Sequence, residues 1–194
     1  MESYRLEGQT FVIDDYDRKP AFSSFLPGLA GVKGIPLWTF YTNRGQGMNS
    51  FGIDNKGNAI MEFNSANTAF ENTTVKGFRT FLTIDGEYYE PFFKYEDDAK
   101  RQIRMNKNSF KVIERNEKYG IEITVNYYVL PNESIGALVR QVSIKNISGQ
   151  KKNIEIIDGL PKIITYGISN GEFKEMSNLF KSWAYIKNID NKVP

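Results

Sequence analysis

Neither cysteine nor histidine occurs anywhere in this chain of 194 residues. Without thiols there is no disulfide and no thiolate nucleophile, and without imidazole there is no Ser/His triad. Without either there is no Cys/His zinc site. Any chemistry must run on carboxylates, lysine, tyrosine or arginine. Charge of one sign is also lacking: 25 basic side chains stand against 23 acidic ones, a formal net charge of +2. The signs are interspersed, which leaves no basic stripe for nucleic acid or for an anionic membrane surface. Apolar runs long enough to cross a bilayer are missing, and no charged-then-apolar leader opens the sequence. The expectation is therefore a cytoplasmic protein with no nucleic-acid partner, no membrane partner, no metal and no cofactor.

What is present describes a folded β-protein. Hydrophobic residues make up 40% and aromatics 14%, enough to build a core at this length without staples. Runs alternating at period two, bounded by Gly, Asn and Asp, recur along most of the chain and predict an all-β fold of antiparallel hairpins, a β-sandwich. Leu37 to Thr42 carries Trp38 and Phe40 on one face. Phe51 to Asp54 is expected to turn through Asn55, Lys56 and Gly57 into Ile60 to Phe63. Gly77 to Ile84 runs into Asp85-Gly86, a pair that tolerates the positive φ of a type I′ turn, and returns through Glu87, Tyr88 and Tyr89.

Phe110 to Arg115 pairs across Glu117–Gly120 with Ile121 to Leu130, whose Ile121, Ile123, Val125, Tyr127 and Val129 share a core face. Leu138 to Ile147, with Leu138, Val142 and Ile144 inward, is expected to turn at Ser148-Gly149 and return through Ile154 to Ile157. Arg140 falls on that apolar face, where a long side chain snorkels or pairs with a carboxylate. Pro20 to Pro36 reads as irregular coil. Helical period is confined to Glu172–Ser182, one short helix near the C-terminus with a Phe173, Met176, Phe180 and Trp183 stripe.

Candidate chemistry is sparse. Asp14, Asp15 and Asp17 lack the spacing, the glycine and the distal Glu of a calcium loop and read as a solvated turn. Glu96, Asp97 and Asp98 precede Lys100 and Arg101 in a mixed-charge loop. Gly28, Gly31 and Gly34 lack the Lys-Ser/Thr and the strand–helix context of a phosphate loop. The sequons at Asn72, Asn132 and Asn146 match chance expectation. One loop stands out: Asn43-Arg44-Gly45-Gln46-Gly47, after the aromatic strand, offers amides, a guanidinium and backbone N–H groups suited to sugar hydroxyls or phosphate. Asn43, Arg44 and Gln46 are accordingly the candidate substrate-binding residues, against the plainer reading of a glycine-rich hairpin loop with a solvated Arg. No residue is a candidate catalyst.

Six segments resemble a known family. They are Phe22-Ser-Ser-Phe-Leu-Pro27, Gly34-Ile-Pro-Leu-Trp-Thr-Phe-Tyr41, Asn43-Arg-Gly-Gln-Gly47, Gly77-Phe-Arg-Thr-Phe81, Val139-Arg-Gln-Val-Ser-Ile-Lys-Asn146 and Asn153-Ile-Glu-Ile-Ile-Asp158. In this order they are similar to the N-terminal domain of cellobiose phosphorylase-like proteins, glycoside hydrolase family 94 and its β-glucan phosphorylase relatives. The resemblance implies a supersandwich of the galactose mutarotase-like type, followed by a helical linker and an α-helical barrel. In that family the barrel holds the catalytic acid, and phosphate attacks the anomeric carbon with inversion. The barrel and its acid are absent from this sequence, so no catalytic residue carries over. What carries over is an accessory role: supporting the barrel, aiding dimerisation and lending loops to a carbohydrate cleft.

The alternative is a free-standing carbohydrate-binding module with sugar-stacking aromatics. An aldose epimerase fits less well, since that chemistry ordinarily uses a histidine acid. Residues 1–194 are read as one N-terminal domain cut short at its end, because Trp183-Ala-Tyr-Ile-Lys187 reads as a fresh strand close to the last residue. An unpaired edge there is expected to recruit a second copy, giving a homodimer.

Overall fold

The computed structural model describes residues 3–51, 65–94, 98–161 and 169–183. Twelve strands appear in chain order: β1 (Tyr4–Glu7), β2 (Thr10–Asp14), β3 (Ser23–Ala30), β4 (Ile35–Thr42), β5 (Met48–Phe51), β6 (Arg79–Ile84), β7 (Glu87–Tyr89), β8 (Ala99–Met105), β9 (Ser109–Asn116), β10 (Ile121–Val129), β11 (Leu138–Asn146) and β12 (Ile154–Gly159). Two helices accompany them, α1 (Ala66–Lys76) and α2 (Asn170–Trp183). The strands form a six-stranded sheet ordered β1-β2-β8-β9-β10-β11 and two three-stranded sheets, β12-β6-β7 and β3-β4-β5. All pairings are antiparallel.

The inner face of the large sheet supplies the core. Ile121, Ile123, Val125 and Tyr127 of β10 are fully buried, as their alternation requires, and pack with Ile103, Phe110 and Val112 from β8 and β9. Leu82, Ile84 and Tyr89 of the β6–β7 hairpin close on them, with Leu26 and Tyr41 from the third sheet partly buried at the margin. The result is a β-sandwich. Each such side chain contributes on the order of 1.5–3 kcal/mol by leaving water. Leu138, Val142 and Ile144 point inward from β11 as expected. Asp85 and Gly86 both have positive φ, 50° and 89°, so the two-residue turn has the backbone signs its sequence requires.

Three expectations are corrected. Residues 20–36 are not all coil: β3 and the first two residues of β4 lie there, with Pro27 opposite Trp38 and Leu29 opposite Pro36. β3 is an edge strand, where a missing N–H is tolerated. Gly28 marks a close approach, since a Cβ there would sit 2.8 Å from Val129 Cγ1. Second, Ile154–Ile157 does not return along β11; as β12 it crosses to the other layer and pairs with β6, Ile154 opposite Ile84. Third, the C-terminal helix is not alone, because α1 precedes β6. Ser65 caps α1 by accepting the Thr68 N–H, and Ala69 and Thr73 turn inward near Phe40 and Met48.

α2 opens on a capping box in which Ser169 Oγ accepts the Glu172 N–H at 3.2 Å and Glu172 Oε2 accepts the Ser169 N–H at 3.0 Å. It kinks at Met176 (φ −115°, ψ 21°). Trp183, expected to open a strand, instead ends α2, and the rest of that expected strand, the hairpin expected around Asn55–Gly57 and the residues Glu96 and Asp97 lie outside the described residues. Among the described residues no helix is long and apolar enough to cross a membrane.

Candidate functional site

The loop after β4 sends its three candidate side chains to three different neighbours. Asn43 Nδ2 donates to the Lys19 carbonyl at 3.0 Å, while its Oδ1 is buried without a partner. Arg44 is exposed and lays its guanidinium 3.9 Å from the centre of the Phe70 ring of α1. Gln46 is buried. The glycines between them answer to backbone geometry, Gly45 at φ 66° and Gly47 at φ 107°.

Gln46 belongs to a polar knot that ties the two layers together. Arg140, on β11 opposite Tyr127 of β10, donates from Nε to Tyr127 Oη at 3.2 Å. Its Nη2 reaches Asp158 Oδ1 of β12 at 2.9 Å and Thr80 Oγ1 of β6 at 3.2 Å. Further bonds run to Asp158 Oδ2 and Gln46 Oε1. Gln46 Nε2 donates to Thr80 Oγ1 at 3.1 Å, and Thr80 donates to Asp158 Oδ1 at 2.6 Å. The guanidinium also lies 4.8 Å from the Phe78 ring centre. Burial opposes the charge of Arg140, but the Asp158 and Tyr127 hydrogen bonds outweigh it and hold the guanidinium protonated. Burial likewise pushes the Tyr127 hydroxyl well above its usual range, so it stays neutral. Arg140 thus pairs with a carboxylate, one of the two outcomes its place on an apolar face allows.

A second ionic knot is deeper. Arg101 Nε donates to Glu114 Oε2 at 2.6 Å, Nη1 to Asp17 Oδ2 at 3.1 Å and Nη2 to the Lys94 carbonyl at 2.5 Å. Glu114 also accepts the Tyr89 hydroxyl and, at 2.7 Å, the Phe92 N–H. Asp14, by contrast, pairs with Arg5 and accepts from Gln102 at 2.6 Å. The acidic triplet of 14, 15 and 17 is therefore split between partners, and among the described residues no three carboxylates gather in a metal-binding group.

The outer face of the large sheet holds what the charge pattern did not announce. At one end of that face the β1–β2 turn, the β8–β9 turn and the end of β10 enclose an open groove of about 470 Å³ lined by Gln9, Asn106, Asn108, Ser109, Asn126 and Tyr128. Asn126 and Tyr128 sit on β10 between the inward residues Val125, Tyr127 and Val129, and Tyr128 lies in register with Ser109 of β9. Tyr128 is half-buried, whereas Asn106 and Asn108 are exposed. The Asn126 Oδ1 is buried without a hydrogen-bond partner. Sequence reasoning passed over this site, yet one signal was available: an asparagine inside an otherwise β-branched and aromatic strand runs against strand propensity. Compared with models of known protein families and with curated proteins, the chain matches none.

Proposed function

We propose that this chain is the non-catalytic N-terminal β-sandwich of an inverting β-glucoside or β-glucan phosphorylase, a supersandwich of the galactose mutarotase-like type that binds carbohydrate and supports a helical catalytic barrel. The observation that carries the reading is an apolar ridge along edge strand β3. Phe25 and Leu29 project from one face of β3, 49% and 69% exposed, and continue into Val32 and Ile135, 66% and 65% exposed. The turn holding Val32 is bonded to the β10–β11 loop through Val32 N–H to the Glu133 carbonyl at 2.8 Å. An exposed ridge of this kind, held on ordered backbone, suits packing against a neighbouring domain.

The ionic knots support the non-catalytic half of the proposal. Arg101 and Glu114 spend their bonds inside the fold, and the buried Arg140 spends its bonds on Tyr127, Thr80, Gln46 and the more exposed Asp158, so both knots hold elements together and leave little capacity for a substrate. The test compares this chain with the same chain extended by the coding sequence that follows it. Phosphate-dependent release of glucose 1-phosphate from β-glucosides is expected from the extended protein and not from residues 1–194 alone. Activity of the short chain, or an extension that encodes no helical barrel, overturns the proposal.

A further inference from the structure

We infer that the groove across the β1–β2 turn, the β8–β9 turn and the end of β10 is a carbohydrate subsite, with a neutral pyranose ring seated on Tyr128 and its hydroxyls met by Asn126 and the neighbouring amides. The inference rests on the carbohydrate-binding part of the reading above and places that binding away from the loop at 43–47.

The chemistry of the lining selects the ligand. The side-chain amides of Gln9, Asn108 and Asn126, the Ser109 hydroxyl and the Nδ2 of Asn106, whose Oδ1 accepts the Asn108 and Ser109 N–H groups, supply donors and acceptors in one place. A sugar hydroxyl is itself both donor and acceptor and can answer either. Tyr128 adds a half-exposed ring, whose π-face suits the C–H face of a pyranose. The one charged side chain in the lining is Lys107, and among the described residues no carboxylate joins it. A cationic ligand is therefore disfavoured. The volume of about 470 Å³ falls within the roughly 300–1,000 Å³ of small-ligand clefts.

Asn126 carries the argument furthest. A buried acceptor with no partner forfeits about 1–3 kcal/mol, and a strand interior disfavours asparagine besides. Threonine at the same outward position would suit the strand better and leave no amide unpaired. Packing thus gives no reason for Asn126, whereas a ligand hydroxyl does. The final torsion of asparagine is broad and soft, so a small turn brings the amide to a sugar resting on Tyr128.

The test is a titration of the ¹⁵N-labelled chain with cellotetraose, maltotetraose and a fully deacetylated chitosan tetramer. Chemical-shift changes are expected for the two neutral sugars at residues 9–10, 106–109 and 126–128, with the cationic tetramer at least several-fold weaker. Asn126→Thr and Tyr128→Thr, both favoured in strands, should each weaken binding tenfold or more while leaving the rest of the spectrum in place. Unchanged affinity in both variants, or shifts centred on residues 43–47, overturns the subsite and leaves the proposed function standing. Absence of any response also overturns the subsite, and the assay of the extended protein then decides separately whether the phosphorylase reading falls with it.

Discussion

Replacing Arg101 by methionine should unfold this protein more readily than any other single change at an ionic site. The guanidinium is 3% exposed and its Glu114 partner fully buried. Burial opposes the Arg101 charge, and Glu114, Tyr16 and Asp17 together overcome that opposition. Methionine fills much of the volume but strips Glu114 of its cation, leaving the carboxylate with two neutral donors, the Tyr89 hydroxyl and the Phe92 N–H. Removing one partner of a buried pair costs about 3–5 kcal/mol. Phe92 adds to the consequence, since it is buried at φ 63°, a conformation that strains a bulky residue by on the order of 1–3 kcal/mol and is held here partly by the bond to Glu114.

At about 2–4 °C per kcal/mol for a chain of this size, Arg101→Met should lower Tm by roughly 6–20 °C, read by far-UV circular dichroism and checked by urea unfolding. Glu114→Gln keeps one acceptor, enough for the Phe92 N–H, turns its NH2 toward the Tyr89 hydroxyl, which can accept it, and should cost only about 2 kcal/mol. The double variant, with no stranded carboxylate, should then be more stable than Arg101→Met by about 1–3 kcal/mol. If Arg101→Met costs less than about 1 kcal/mol, the pair behaves as a solvated surface bridge and the reasoning fails. Strict additivity of the two changes would refute it as well.

Asp85 accepts the Asn153 N–H and pairs with Lys152, which hold its carboxyl below the ordinary 3.8. A depressed value contributes stability above the unfolded pKa and loses it as pH falls through the folded one, so Asp85→Asn, which tolerates φ 50° equally, should be less stable than wild type at pH 6 and match it in strong acid; a gap that persists in acid would refute the electrostatic origin. Gly45→Ala should cost about 2–4 kcal/mol, because the residue has φ 66° and its Cβ would lie 2.9 Å from Thr73 Cγ2. Gly86→Ala, at φ 89° with nothing near its Cβ, should cost only the backbone strain of about 1–2 kcal/mol, and equal losses in the two variants would show that the Thr73 approach is relieved freely. Light scattering across a concentration series should detect dimers that dissociate on Phe25→Asp with Leu29→Asp, whereas a monomer at every concentration would remove the second copy as an occupant of the β3 ridge.

The parts of the fold legible in the sequence are those where a local rule and the tertiary packing agree. β10 alternates Ile, Ile, Val and Tyr against polar residues, and the same alternation divides core from outer face in the structure. Asp85-Gly86 adopts positive φ because both residues tolerate the left-handed region that so short a turn requires. Elsewhere packing overrode the local rule. α1 buries Ala69 and Thr73, small residues in a segment rich in Asn and Thr, so no apolar stripe announces it; Ser65 three residues before Thr68 was its one start signal. Proline and glycine in residues 20–36 suggested coil, yet two of them have a reason to sit in a strand, since Pro27 lies on an edge strand and Gly28 lets Val129 approach, while Gly31 and Gly34 do sit in a turn. The change of layer between β11 and β12 consists in the pairing of β12 with β6, and the Asp158–Arg140 pair then links the two layers. No pattern within Ile154–Gly159 encodes a partner so distant in sequence.

The same distinction governs the two candidate binding surfaces. Asn43, Arg44 and Gln46 drew notice because amides and a guanidinium cluster in sequence, but sequence proximity does not decide which atoms face solvent. Gln46 is spent on Thr80 and Arg140, Asn43 Nδ2 on the Lys19 carbonyl with its Oδ1 unpaired, and Arg44 lies over Phe70. The groove at Asn126 and Tyr128 draws on three stretches, Gln9 to Thr10 far upstream in sequence and Asn106 to Ser109 and Asn126 to Tyr128 on one hairpin, each unremarkable by itself. Antiparallel pairing of β2, β8, β9 and β10 is what brings two turns and a strand end to one side of one sheet. A polar group that satisfies its neighbours is explained by the fold, and one left unpaired at the wall of an amide-lined groove is not, a setting that Asn126 has and Asn43 lacks. By that criterion Gln46 belongs to the scaffold and Asn126 to a ligand, which makes Asn126→Thr the substitution that separates the two: it should preserve or raise Tm while weakening sugar binding tenfold or more, an outcome no purely structural role for Asn126 produces.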